Sequence, residues 1–181
     1  MLRHALVALL MVGLAVPAFA QGKALAEALA RMHAGVVRNV VEAAEKMPEA
    51  DFAFQPAKDV RTFGGFVGHV ANAEFNYCSR AKGEGNPNKE DFEKATGKAV
   101  LVAGIKAAAA YCDGVYKGMA DGALGEMVAM GQSQQPRGQI LVQNISHTNE
   151  HYGNLVTYMR LKGLVPPSTE RATTPTRPGG R

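Results

Sequence analysis

The sequence predicts an all-α protein, a four-helix bundle with a long crossover before the last helix. Three observations lead there. Four stretches place apolar residues three and four apart, the period of a helix with one buried face. Glycine and proline clusters fall between those stretches, where turns and a crossover are needed. No run of alternating strand pattern and no internal repeat interrupts them.

The first twenty residues read as a secretory signal peptide rather than as part of the fold. Arg3 and His4 open it, Ala5 to Val16 is an apolar run of twelve, and Ala18-Phe19-Ala20 is a small-x-small cleavage site. Such a run is short for a bilayer span. Gln21, not cysteine, follows the cleavage site, which argues against a lipid anchor. The mature chain is therefore expected to be secreted or periplasmic, in a bacterium, with no membrane span after cleavage. The domain itself is expected over residues 21–165, enough for one core.

The first helix is predicted from about Lys23 to Met47, on the recurrence of Leu25, Leu29, Met32, Val36, Val40, Ala43 and Met47, and Pro48 ends it. His33 lies near the edge of that stripe and reads as a structural histidine. A connector follows, in which Phe52 and Phe54 are expected to pin the loop over the bundle end. The second helix is predicted from Thr62, a capping residue, to about Lys82. Its stripe is Phe63, Phe66, Val67, Val70, Ala73 and Tyr77, with His69 at the edge, after Gly65 and Gly68. Small neighbours are expected to leave room beside that imidazole. Gly83 to Asn88 is a turn.

The third helix is predicted from about Thr96 to Met119, with Leu101, Ile105, Ala108, Cys112 and Tyr116 on its buried side. Gly118 to Gln135 carries four glycines and reads as the crossover, with one turn of helix around Leu124 to Met130. The last helix is predicted from Pro136, suited to a first turn, to Lys162, before Gly163 and Pro166. Residues 166–181, rich in Pro, Thr and Arg, are expected to be a disordered tail.

His147 and His151 on the last helix are four apart and share a face. Stepping about 100° per residue, the pair falls at one edge of the apolar arc, with Tyr158 and Asn144 beside it. Those two are the expected pocket-lining polar groups. Half-buried histidines at this spacing suit a metal ion such as zinc, nickel or iron, but taken alone are more often two core-edge rings each satisfied by a hydrogen bond. Glu74 falls about 140° from His69 on the same count, facing away from it, and Glu150 reaches the mouth at best.

The chain has two cysteines, and in an oxidising compartment Cys78 and Cys112 are expected to form one disulfide, the alternative being two buried free thiols. CxxC spacing is absent. The formal net charge of +4 comes from dispersed basic residues and the tail. It marks no nucleic-acid surface.

Three stretches, RTFGGFVGHVANAEFNYC, AYCDGVY and ISHTNEHYGNLVTYMRLKGLVPPS, resemble the DinB-like (DinB/YfiT) superfamily of metalloenzymes. The resemblance implies a bundle that binds a divalent metal through a helix-two histidine and an HxxxH pair, here His69, His147 and His151. Three neutral imidazoles would leave a coordination position for water or substrate. The function implied is a metal-dependent transferase or hydrolase acting on a small molecule. Thiol S-transferases and a thiol-dependent isomerase occur in the superfamily, but they use cytosolic thiols and this chain carries an export signal. The alternatives are a non-catalytic metal-binding or stress-response bundle, and an interaction domain using the tail. Pairing into a homodimer is compatible with the pattern, and no pairing face is marked.

Overall fold

A computed structural model describes residues 22–173. The expected signal peptide lies outside them. Four long helices form the body: α1 (Ala24–Lys46), α2 (Phe63–Lys82), α3 (Lys98–Lys117) and α4 (Arg137–Leu161). Their ends follow local chemistry. The Thr62 hydroxyl accepts the Gly65 amide at 2.9 Å and caps α2. Gly83 ends the same helix with φ 81°, a conformation that costs a glycine little. Met47 turns extended ahead of Pro48 and stops α1.

α2 packs on α3 and α4 along one side of the bundle, and α1 packs on the same two helices from the other side. α1 and α2 are therefore diagonal partners across the core. The core falls into two apolar clusters. One contains Met47, Phe63, Phe66, Val70, Ile105, Leu155 and Tyr158. The other contains Leu29, Cys78, Cys112, Tyr116, Ile140 and Leu141. Between them lies a buried polar layer, described below. α3 is long and apolar enough by composition to cross a membrane; here Leu101, Ile105, Ala108 and Cys112 are buried in the bundle.

Two expectations are corrected. The crossover holds no α-turn at residues 124–130. A 3-10 turn covers Asp121–Gly125, and a β-hairpin follows, with β1 (Met127–Met130) antiparallel to β2 (Ser133–Pro136). Gly131 has φ 64° at the first position of the two-residue turn, where glycine permits the tight reversal. The tail is also not disordered from its start. Pro167–Thr173 forms a short helix, α5. It docks on α1 through Lys46–Glu170 and through Arg171 with Glu42 and Asn39. The Tyr152 hydroxyl donates to Ser168 Oγ at 2.8 Å and accepts the Ser168 amide at 3.0 Å. Residues 174–181 lie outside the described residues.

Candidate metal centre

Helical spacing places the first parts of the site. His147 and His151 stand one turn apart on α4, and His69 reaches them from α2. The three Nε2 atoms converge: His69 to His147 is 3.0 Å and His147 to His151 is 3.1 Å. One ligand atom from each histidine lies within 4.8 Å of the others. Nitrogens held at about 2.0–2.1 Å from one tetrahedral ion stand slightly further apart than the two short contacts, so a few tenths of an ångström would admit it.

The remaining ring nitrogens show how the rings are held. His69 Nδ1 meets Glu93 Oε1 at 2.7 Å. An ionised carboxylate only accepts, so the proton belongs on Nδ1 and the Nε2 lone pair faces the other two histidines. Glu93 is itself held by Arg61 at 3.3 Å. His151 Nδ1 is 3.3 Å from the Asn154 carboxamide. The carboxamide nitrogen faces the ring there; a half-turn of the amide would let its oxygen accept an Nδ1 proton and leave the Nε2 lone pair for an ion. Among the described residues His147 Nδ1 has no hydrogen-bond partner, although it is buried.

The electrostatics favour neutral rings. Burial, reinforced by the charges that His151 and His69 would carry, pushes His147 down to about 4. Burial and His69 lower His151 as well. Rings that resist protonation keep their lone pairs for a Lewis acid. For Glu93, burial works upward, but the hydrogen bond from His69 and the contact with Arg61 outweigh it and hold the carboxyl below its ordinary range.

The connector between α2 and α3 builds one wall. The Asn72 carboxamide donates to Asp91 at 2.8 Å and accepts the Phe92 amide at 3.1 Å. Phe92 wedges between Gly68 and Gly104, where an added Cβ would stand 2.2 Å from its carbonyl oxygen and 2.6 Å from its ring. The space expected beside His69 at Gly68 is therefore filled by backbone. This wedge delivers Glu93 to His69. A cavity of ≈ 380 Å³ opens beside His69 and His147, lined also by Asn72, Asn76, Tyr77 and Glu93.

The two expected pocket-lining groups stand elsewhere. Asn144 is fully buried, and its Nδ2 donates to Glu74 Oε2 at 3.2 Å. The Tyr158 hydroxyl donates to the Arg61 carbonyl at 2.6 Å, and its ring meets Phe66 edge-on. Glu74, which faces away from the histidine site as expected, is the hub of the polar layer. It accepts from Thr148 at 2.6 Å and contacts His33 Nε2 at 2.7 Å. It thus ties α1 and α2 to α4. His33, read as structural, is 1 % exposed and stacks on Tyr116 at 4.2 Å. Cys78 and Cys112 lie at disulfide distance, with Cα atoms 5.4 Å apart, beside Asn144 and away from His69.

Sequence reasoning missed Glu93 and Asn154. Asn154 has a signal, since it lies three residues after His151 on the same helix. Glu93 has none, because its connector has no period from which a direction can be read.

A family model described as the DinB superfamily matches residues 32–155. The crystal structure of a DinB-like protein from Bacillus cereus aligns with TM-score 0.68 at 17 % identity, covering 78 % of this chain and 95 % of that one. A DinB-like protein from Bacillus subtilis aligns with TM-score 0.63 at 19 % identity, over 75 % of this chain and 92 % of that one. No curated protein matches the sequence.

Proposed function

The chain belongs to the DinB superfamily, and from that premise we propose that it is an exported, metal-dependent enzyme acting on a small molecule. The observation that carries the reading is the convergence of His69, His147 and His151 with Glu93 behind His69. The donor set fits a divalent cation. It is all imidazole, it comes from two helices, and two of its rings resist protonation. Zinc suits it best, and nickel or iron would accept the same nitrogens.

When bound, such an ion supplies Lewis acidity and lowers the pKa of a bound water towards ~7. The chain's own residues do the rest. Glu93 keeps the His69 proton on Nδ1 and turns Nε2 inward. Phe92, Gly68 and Gly104 fix the wall on which Glu93 is carried. The polar cavity at His69 and His147 gives a substrate access from one flank. Three protein ligands beside such a cavity favour transfer or hydrolysis over a closed storage site. Export, and a Cys78–Cys112 bridge formed in an oxidising compartment, belong to the same proposal. They rest on the leader at residues 1–20 and on the paired sulfurs.

The test is purification of the protein expressed with its leader, followed by intact mass and elemental analysis. The mature chain is expected to begin at Gln21 and to carry about one divalent ion per chain. His147→Ala is expected to remove that ion. An undiminished metal content in the variant defeats the assignment.

A further inference from the structure

The cavity beside the histidines does not end at α2's midpoint. Asn76 and Asn86 line it, and the same two residues line a second cavity of ≈ 400 Å³. The second cavity is bounded by Arg80 from the last turn of α2, by Glu84 just past its end, and by Val128 and Ala129 from the hairpin. The two cavities therefore adjoin at Asn76 and Asn86 and lie in line along α2, from His69 to Arg80, as one trough in two parts. The hairpin closes its far end.

Arg80 is the cation at that end. It is half-buried, and its Nε donates to Asn76 Oδ1 at 2.9 Å. That bond leans the side chain back along the helix and uses one of five guanidinium donors. Among the described residues no carboxylate pairs with it. Glu84, the acid in the same cavity, is committed to the Lys82 ammonium at 3.0 Å and the Tyr111 hydroxyl at 2.8 Å. An arginine in a concave wall, with its planar edge unspent, is suited to grip a carboxylate through two parallel bonds.

We propose that the trough binds a linear organic anion, with a metal-ligating donor at its head and a carboxylate on Arg80. The proposal rests on the metal reading above. The Cα atoms of His69 and Arg80 are about 16 Å apart along the helix; both side chains lean towards its N-terminus, the longer Arg80 by more, so the span between their tips stays above roughly 10 Å. A two- or three-carbon acid cannot bridge that distance. Asn76 holds Arg80 through Oδ1 and keeps its Nδ2 as a donor for a polar group in the ligand's middle. Glu93, beside the histidines, disfavours a second negative charge at the head, so the anionic end belongs at Arg80.

The probe is a chain-length series of dicarboxylic acid monohydroxamates, from succinic to dodecanedioic, each with its methyl ester. Binding is read by the visible spectrum of the Co²⁺-loaded protein. In the long members the free acid is expected to bind at least about tenfold more tightly than its ester, and in the short members equally. Arg80→Met is expected to erase the acid preference while leaving the short members unchanged. Equal binding of acid and ester at every length, or a preference that survives Arg80→Met, overturns the proposal. A metal-free arm separates it from the metal reading. Suberate is titrated into the ¹⁵N-labelled apoprotein while the Arg80 Nε–H resonance is followed. If cobalt fails to bind, the metal assignment falls and this resonance alone decides: a saturable shift supports the carboxylate site, and an unmoved signal ends it.

Discussion

Glu93 acts on the site through His69, by fixing which nitrogen carries the proton. Glu93→Gln preserves size but replaces a charged acceptor with a neutral one. Zinc affinity is expected to fall about 10–100-fold, the usual cost of losing a carboxylate behind a ligating histidine, as read by competition with a chromogenic chelator. His147 gives a pH signature to the metal-free protein. Above about 6.5 the ring is neutral in both folded and unfolded chains, so it contributes no slope. Between about 6.5 and about 4 the unfolded chain takes up a proton that the folded site resists, so stability falls as pH falls. His151 is lowered too and adds to the same slope. The thermal midpoint of the apoprotein is expected to drop across that window, and less steeply in His147→Asn. Zinc-ligand candidates were legible from the chain because helical spacing fixes azimuth. Asn144 was misplaced for the same reason. It stands about 60° from His147 on a helical wheel, yet in three dimensions that direction leads into the core, where Glu74 on a different helix captures it.

The elements that shape the site are the ones without a hydrophobic period. The connector at residues 83–97 shows in the sequence only as a turn at Gly83 to Asn88, yet it carries the Phe92 wedge and Glu93. The crossover was placed correctly, but Ser133-Gln134-Gln135-Pro136 has no apolar alternation. Its strand character comes from pairing with Met127–Met130, a partner that local pattern does not encode. The wedge is testable. A Cβ at Gly68 would meet the Phe92 carbonyl at 2.2 Å, and backbone cannot move aside as a side-chain tip can. Gly68→Ala is expected to destabilise by about 1–3 kcal/mol and to weaken metal binding as Glu93 is carried off His69. Gly114→Ala is the control. It lies inside α3 with nothing within 4 Å of the added methyl, and relief of backbone entropy favours it by about 0.5–1 kcal/mol. Urea midpoints of the two variants should move in opposite directions.

At the scale of the whole molecule, two apolar clusters stack along the bundle with a polar layer between them. His33, Glu74, Asn144 and Thr148 make that layer, all of them buried. Apolar packing alone leaves the sliding of parallel rods weakly specified, and directional bonds among buried groups penalise each wrong register. Glu74 contacts α1 through His33 and α4 through Thr148 and Asn144. It therefore sets α4 against α2 within one residue of His147. The bundle itself was legible, since four amphipathic stretches leave few other ways to bury their stripes. The polar layer was not, because each member reads alone as an isolated polar residue in a helix. The cysteines fall in the cluster beyond this layer, away from the three candidate ligand histidines. Cross-linking and metal binding should then be separable. With a bridge spanning a sequence separation of 34, the chain-entropy account gives about 3–4 kcal/mol. The double variant Cys78→Ala/Cys112→Ala is expected to lose that much, lowering its thermal midpoint by roughly 10 °C. Its metal content should stay at the wild-type value, because Glu74 and its three partners still hold the register. Loss of the ion together with the bridge would mean that the polar layer does not insulate the site.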